Sequence, residues 1–223
     1  MILNENFRKL IKEKYYTKTG IQKQAKAFKK NVLPLSKKTQ INILPGKVAL
    51  LVIDMQEFFL NNKSRAYIPS AEAILPPIKA LQNYFFKNNW PVFHTMHFDT
   101  LQNSENMLRW WKGDLLEQNN PLFPIVQYLQ DPRALVLKKS QYSAFFNTNL
   151  NEELRRRNIS QIIITGVMTH LCCETTARSA FMHGYEVFFT IDCTATYNKT
   201  FHLATLMNLA HGFALPVLSE EIL

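Results

Sequence analysis

Three chemically reactive side chains come soon after short apolar runs in the sequence. Asp54 follows the run Val48–Ile53, Lys139 follows residues 134–137, and Cys172 comes shortly after a third run. A thiolate is a strong nucleophile, a carboxylate can take the proton of the thiol, and an ammonium group stabilises the anion that results. Each residue alone has an ordinary explanation, as a helix cap, an inert packing group or a solvated cation. Together they predict a nucleophilic site, provided that the fold brings them to one place.

The elements that would position these side chains alternate along the chain. Short runs without apolar and polar alternation predict strands that are buried on both faces. Helical spacing fills the segments between the runs, and two of the predicted helices end at glycine. The predicted strands are residues 48–53, 92–96, 134–137, 161–165, 186–191 and 214–218, and the predicted helices are 73–88, 151–158, 171–183 and 200–211. This alternation predicts an α/β fold in which helices cover both faces of a mainly parallel sheet.

Ligands of such folds bind beyond the carboxyl ends of the strands. Asp54, Lys139 and Cys172 would all lie at that edge of the sheet. A thiol pKa falls at a helix N-terminus and beside a cation, because both stabilise the thiolate. We therefore expect a lowered pKa for Cys172, with Asp54 as its base and Lys139 as the group that stabilises charge.

Three ordered motifs resemble those of the isochorismatase-like hydrolases, a superfamily of cysteine hydrolases. Residues 50–56 read Leu-Leu-Val-Ile-Asp-Met-Gln, and residues 139–145 read Lys-Ser-Gln-Tyr-Ser-Ala-Phe. The third and most specific motif, residues 165–178, reads Thr-Gly-Val-Met-Thr-His-Leu-Cys-Cys-Glu-Thr-Thr-Ala-Arg. The resemblance covers residues 47–221 and leaves the segment before it unexplained.

The resemblance implies a fold and a site. The fold would be the three-layer α/β/α, Rossmann-like arrangement of the family, with a six-stranded sheet. The catalytic triad would be Asp54, Lys139 and Cys172. The family also has a cis peptide in the loop before the nucleophile, here between Val167 and Met168. The backbone N–H groups of Met168 and Cys172 would then form an oxyanion hole.

The resemblance leaves two chemistries open. The cysteine hydrolases of the family cleave C–N bonds through a thioester and have the cysteine six residues after the motif glycine, which here is Gly166 followed by Cys172. True isochorismatases hydrolyse a vinyl ether and often have glycine at the cysteine position. Cys172 therefore favours hydrolysis of a small amide or carbamoyl compound. Against this, His170 stands where nicotinamidases usually have aspartate. In the alternative, Asp54 protonates the enol ether and Cys172 only lines the pocket.

The substrate is expected to be a small molecule that contacts Gln56, His97, Trp110, Tyr142 and His170. Gln56 could instead orient Asp54. The family's nicotinamidases bind a metal through an Asp-x-His pair and a further histidine. Here the pair is reversed, as His97 and Asp99, and no further histidine is recognisable. We therefore expect these two residues to line the pocket or cap a turn, with no bound metal or other cofactor.

The positive charge of the chain is confined to its beginning. The net charge is +9, and residues 1–40 hold 11 basic residues against 2 acidic ones, so residues 41–223 are neutral overall. We interpret residues 1–40 as a basic helical extension and 41–223 as the hydrolase domain. The extension would pack on the domain or on a second subunit, since no aromatic or arginine-rich pattern points to nucleic acid. A non-enzymatic adaptor that binds an acidic partner through this extension is the alternative.

The cysteine count and the length of the apolar runs predict the cellular compartment of the protein. Three cysteines, an odd number, indicate a reduced cytoplasmic protein, and no secretory signal is expected. The apolar runs are far shorter than the roughly 20 residues that cross a bilayer. Members of the family commonly form dimers or larger assemblies, so we expect a homo-oligomer.

Overall fold

The structure is a computed structural model that describes residues 12–99, 105–111 and 116–223. Within these residues, six strands form one sheet in the order β3-β2-β1-β4-β5-β6. Every neighbouring pair is parallel. The strands are β1 (Val48–Ile53), β2 (Val92–His97), β3 (Leu135–Lys139), β4 (Gln161–Val167), β5 (Glu186–Ala195) and β6 (Leu215–Val217).

Seven α-helices connect or flank these strands in the described ranges. They are α1 (Ile21–Val32), α2 (Glu57–Leu60), α3 (Ala71–Lys87), α4 (Glu105–Trp111), α5 (Leu150–Arg156), α6 (Glu174–Met182) and α7 (Lys199–Gly212). The predicted α/β architecture with a mainly parallel six-stranded sheet is confirmed. None of the helices in the described part combines the length and apolar character needed to cross a membrane.

The strand order reverses direction between β1 and β4. From β1 the chain moves outward to β2 and β3, and from β4 it moves outward on the other side to β5 and β6. Right-handed crossovers then place the helices of the two halves on opposite faces of the sheet. The carboxyl ends of β1 and β4 therefore border the crevice in which such folds bind ligands.

Gly166 lets β1 and β4 approach closely at this crevice. Its φ angle is +108°, and a Cβ atom placed there would lie 2.1 Å from the carbonyl oxygen of Ile53. No side chain fits at that distance, and the backbone conformation is also one that glycine tolerates best. The glycine of the third sequence motif is thus required by the contact between two strands.

The described part of the basic extension packs on the domain. Tyr16, Ala25, Phe28 and Val32 are buried in the same hydrophobic core as the sheet. Several lysines of the extension also form ion pairs with carboxylates of the domain: Lys18 with Glu72, Lys26 with Glu220, Lys29 with Glu221 and Lys38 with Glu186. Four of the basic residues of the extension are therefore paired with acidic groups of the same chain. The apolar residues near the start, such as Leu10, lie outside the described residues.

Candidate active site

Asp54 directly follows β1 and is held there by the neighbouring strand. The Thr95 hydroxyl of β2 donates to Asp54 Oδ1 at 2.6 Å and accepts the backbone N–H of Asp54 at 3.1 Å. The φ angle of Asp54 is +49°, in the left-handed region that is uncommon for residues other than glycine. Thr95 therefore fixes both the backbone and the carboxylate, and the sequence analysis did not single it out. A threonine opposite a strand-end aspartate on the adjacent predicted strand is the signal that could have identified it.

Lys139 joins the other two residues of the predicted triad. Its Nζ lies 2.7 Å from Asp54 Oδ2, 3.3 Å from Cys172 Sγ and 2.9 Å from the carbonyl oxygen of Gln141. It is the last residue of β3, not a residue after the strand, and it is buried. Burial opposes the charge of Lys139, but the neighbouring Asp54 and Cys172 outweigh it and raise the pKa of the amine. The ammonium form is thus favoured between the two groups.

Cys172 lies on a short helical turn between β4 and α6. The peptide bond between Val167 and Met168 is cis, and Thr169–Cys173 form one wide π-helical turn that leads into α6. The predicted helix at 171–183 therefore begins later, at Glu174. The adjacent Cys173 directs its thiol away from Lys139, toward the carbonyl oxygen of Thr165 at 3.9 Å. Of the two neighbouring cysteines, Cys172 is the one that contacts the amine.

The expected lowering of the Cys172 pKa is wrong for the free protein. Burial raises the pKa of this thiol, Lys139 lowers it and the nearby Asp54 carboxylate raises it, with a net value of about 12. Cys172 is 6% exposed, so little water is available to stabilise a thiolate. The free site therefore holds a neutral thiol beside an ion pair of Asp54 and Lys139, and the thiol must lose its proton after substrate has bound.

This state predicts a distinctive pH profile for alkylation. At pH 7 about one molecule in 10⁵ carries the Cys172 thiolate if the pKa is about 12. We expect the rate of Cys172 modification by iodoacetamide to rise about tenfold per pH unit between pH 7 and 10, without a plateau. Peptide mass spectrometry would separate Cys172 from Cys173 and Cys193. A plateau reached near pH 7 would contradict the neutral-thiol state.

Gln56 does not face a substrate. Its side-chain amide donates to the carbonyl oxygens of His97 at 3.1 Å and Phe123 at 2.7 Å, and it accepts the backbone N–H of His97 at 2.8 Å. The residue is completely buried. Its side-chain amide thus connects the loop at Phe123 to the end of β2 through hydrogen bonds. The expected substrate contact is inconsistent with this geometry, and Gln56 acts on the site by fixing the backbone around it.

His97 and Asp99, the pair that was compared with the metal ligands of nicotinamidases, lie next to each other at the end of β2. His97 Nε2 is 3.2 Å from Asp99 Oδ1, and the other carboxylate oxygen accepts the backbone N–H of Leu116 at 3.0 Å. Zinc sites usually need at least three protein ligands. In the described ranges, no three His, Cys, Asp or Glu side chains group in a way that could hold a metal ion. The residues therefore do not fit such a site, and we derive no step through a metal.

Tyr142 and Trp111 meet beside the reactive groups. The indole N–H of Trp111 donates to the Tyr142 hydroxyl at 3.0 Å. Burial raises the pKa of Tyr142, and the residue directly follows Gln141, whose carbonyl oxygen accepts from Lys139 Nζ. Trp110, which the sequence analysis favoured as a substrate contact, is 77% exposed. Trp111 is therefore the tryptophan of α4 that faces the site.

His170 lies on the same turn as Cys172 and faces the loop after β5. Its Nδ1 lies 2.5 Å from the Thr196 hydroxyl oxygen, and its ring stacks on Phe201 with the centroids 4.6 Å apart. Burial lowers the pKa of His170 to about 4, so the ring is neutral at pH 7. His170 can therefore offer hydrogen bonds or a flat surface, but no positive charge, to a bound molecule.

Comparisons with known proteins agree with this fold. Residues 48–221 match a family model described as the isochorismatase domain. Nicotinamidase 3 of Arabidopsis thaliana is 42% identical over 171 residues, which cover 74% of this chain and 82% of that protein. Enterobactin synthase component B of Escherichia coli K12 is 31% identical over 181 residues, which cover 80% of this chain but only 63% of that protein. A crystal structure of a cysteine hydrolase from Pseudomonas syringae pv. phaseolicola superposes with a TM-score of 0.79 at 24% identity, covering 83% of this chain and 96% of that one.

The matched domain and the conserved architecture identify the class of protein. The chain belongs to the isochorismatase family. It is a hydrolase, and its 42% identical relative is named a nicotinamidase.

Proposed function

We propose that the chain is an amidase-type cysteine hydrolase that cleaves the C–N bond of a small amide or carbamoyl compound. The observation that carries this proposal is the position of Lys139, whose amine contacts Asp54 Oδ2 at 2.7 Å and Cys172 Sγ at 3.3 Å. A nucleophile, a base and a cation within contact of one another are the parts that covalent acyl transfer needs. All three residues are buried, which limits the screening of these charges by water.

In the first half-reaction, Asp54 takes the proton of Cys172 as sulfur attacks the substrate carbonyl carbon. Lys139 stabilises the forming thiolate, so the proton moves within the triad and no external base is needed. The backbone N–H groups of Met168 and Cys172 are proposed to receive the negative charge on the substrate oxygen. The C–N bond then breaks, Asp54 delivers its proton to the leaving nitrogen, and an acyl thioester remains on Cys172.

In the second half-reaction, water replaces the departed amine. Asp54, again a carboxylate, takes a proton from the water while the water oxygen attacks the thioester carbonyl carbon. The C–S bond breaks, the proton returns to sulfur, and the acid product leaves. The buried ion pair with Lys139 favours the carboxylate form of Asp54, which both half-reactions require at their start.

We propose that Tyr142, Trp111, His97 and His170 contact the substrate. Two aromatic side chains joined by a hydrogen bond, together with a neutral imidazole, suit a small planar molecule more than a highly charged one. The 42% identical relative is named a nicotinamidase, and nicotinamide has this planar shape. Nicotinamide is therefore the first compound to test.

The test is a substrate panel with the intact protein. Nicotinamide, other small amides, ureido acids and isochorismate are incubated separately, while release of ammonia and of pyruvate is measured. We expect ammonia from at least one amide or ureido compound. Acid quenching followed by peptide mass spectrometry should show the acyl group on Cys172. Pyruvate from isochorismate with no ammonia from any amide would overturn the proposal.

The neutral thiol favours one alternative function. With a pKa of about 12, Cys172 in the free protein is not itself a nucleophile. If it stayed neutral throughout the reaction, Asp54 could protonate an enol ether carbon, and water would add to the cation that forms. This is the isochorismatase reaction, in which Cys172 would only line the pocket, and the same panel distinguishes the two.

A further inference from the structure

The segment before α1 lies against loops at the back of the nucleophile turn. The backbone N–H of Glu13 donates to the carbonyl oxygen of Tyr197 at 2.7 Å, and the Glu13 carboxylate accepts the backbone N–H of Lys199 at 3.1 Å. The backbone N–H groups of Tyr15 and Tyr16 both donate to the Ser70 hydroxyl, at 3.0 and 3.1 Å. The segment is thus fixed between the start of α7 and the start of α3. It precedes the part of the chain that matches the isochorismatase domain.

Tyr15 joins this segment to a buried histidine of α7. Its hydroxyl accepts the backbone N–H of Thr196 at 3.0 Å and lies 3.0 Å from His202 Nδ1. The hydroxyl of Thr169 lies 3.1 Å from the same ring nitrogen. Thr169 is the first residue of the turn that carries Cys172. The three side chains therefore connect the N-terminal segment to the nucleophile turn.

The neighbouring tyrosine fixes the tautomer of His202. Tyr16 donates its hydroxyl proton to the carbonyl oxygen of Ile191 at 2.9 Å, so toward His202 Nε2, at 3.3 Å, it can only accept. Burial lowers the pKa of His202 to about 3, and the ring is therefore neutral. Nε2 then carries the single ring proton, and the lone pair of Nδ1 faces the hydroxyls of Tyr15 and Thr169.

This arrangement connects the extension to the turn that carries Cys172. We propose that Tyr15 and His202 are positioning residues that hold Thr169, and through it the turn of Cys172, in the reactive geometry. The proposal rests on the proposed function of Cys172 as the nucleophile. Small displacements of a reacting group lower the rate strongly, because sulfur must lie in line with the substrate carbonyl carbon. A displaced Cys172 sulfur slows the attack itself, so the effect should fall more on kcat than on KM, even though His170 of the same turn is a proposed substrate contact.

The test replaces the Tyr15 hydroxyl and compares the result with a control in the same extension. Tyr15→Phe removes one oxygen and leaves the ring in place. Gln22→Ala is the control, because Gln22 of α1 donates to Asp192 at 2.9 Å and has no part in the Tyr15, His202 and Thr169 contacts. We expect Tyr15→Phe to lower kcat by about tenfold with KM within about twofold, and Gln22→Ala to change neither.

A second measurement does not depend on knowing the substrate. Burial is the main reason for the high pKa of Cys172, so a loosened turn should expose the thiol and make it easier to ionise. Tyr15→Phe should therefore increase iodoacetamide modification of Cys172 at pH 8 by about threefold or more, relative to Gln22→Ala. Slower turnover together with faster alkylation of Cys172 but not of the buried Cys193 would distinguish positioning from a general loss of stability.

Two variants of Thr169 complete the test. Thr169→Ser keeps the hydroxyl and should retain kcat, whereas Thr169→Val should lower it about as much as Tyr15→Phe. The double variant Tyr15→Phe with Thr169→Val should lose less than the product of the two single effects, because both act on one hydrogen-bonded group. Unchanged kcat and alkylation in Tyr15→Phe would overturn the positioning role. If the protein without substitutions hydrolysed no amide at all, the proposed function would be overturned. The comparison of Cys172 alkylation between Tyr15→Phe and Gln22→Ala would still decide the role of Tyr15.

Discussion

Cys172→Ala is expected to lower kcat for amide hydrolysis by about 10⁴-fold or more, because the variant has no atom that can form the thioester. Cys172 is the cysteine whose sulfur contacts Lys139, at 3.3 Å. Substrate binding should persist, since alanine removes only the thiol. Steady-state ammonia release measures the loss, and acid-quenched mass spectrometry should detect no acyl enzyme.

Cys173→Ala is the matched control for this variant. Cys173 is equally buried and adjacent in sequence, but its thiol faces the carbonyl oxygen of Thr165. We expect Cys173→Ala to lose some stability through the small cavity and to retain turnover. Equal losses in both variants would point to collapse of the turn. Full activity in Cys172→Ala would exclude the thioester route, and survival of isochorismate hydrolysis in that variant would support the vinyl ether reaction.

Asp54→Asn should combine a large loss of activity with a loss of stability. Asparagine keeps the shape of the side chain but cannot take the thiol proton, so kcat should fall by about 10³-fold. The change also leaves Lys139 without its buried counter-ion, which typically destabilises a protein by about 3–5 kcal/mol. Ammonia release and urea unfolding measure the two effects separately.

The same variant should make Cys172 more reactive toward alkylating agents. The Asp54 carboxylate is one cause of the high pKa of the thiol, so its removal lowers that pKa and increases the thiolate at pH 8. Asp192→Asn is the control, because Asp192 is a buried carboxylate that accepts hydrogen bonds from Ser219 and lies outside the site. That variant should lose stability but keep turnover. If Asp54→Asn retained normal kcat, Asp54 would not be the base.

Most of the sheet could be predicted because its strands are compact apolar runs. The first strand has the predicted bounds, Val48–Ile53, since it contains no polar residue. The fifth strand extends to Ala195, beyond the predicted end at residue 191. Polar residues such as Thr190 and Asp192 interrupt its apolar pattern, but their side chains bond within the protein, so the strand continues. The hydrophobic pattern of the sequence does not reveal these hydrogen bonds of the buried polar side chains.

The sequence predicts which residues the site contains better than it predicts their state. The proximity of Asp54, Lys139 and Cys172 follows from strand ends that share one edge of a parallel sheet. The pKa of Cys172 depends on how deeply the fold buries the thiol. The sequence pattern shows only the two features that lower this pKa, a nearby cation and the start of a helix. Burial and the Asp54 carboxylate raise the pKa, and their combined effect is the larger one.

The side chains around the triad were harder to assign. Successive residues on a helix point about 100° apart, so composition cannot tell whether Trp110 or Trp111 faces the site. Gln56 carries a polar amide next to the reactive aspartate, which suggests contact with substrate. In the structure that amide is used entirely by backbone groups of other segments, which no local pattern could show.

The strand order sets a condition on when activity can appear during folding. Lys139 ends β3, an edge strand, and must reach past β2 to meet the carboxylate that follows β1. Every pairing on this path is parallel and joins distant parts of the chain, and such pairings form slowly. A chain that has assembled only its central strands would show much of the final circular dichroism signal. Its Lys139 amine would not yet contact the Cys172 thiol. Turnover is therefore a more stringent reporter of complete folding than circular dichroism for this protein.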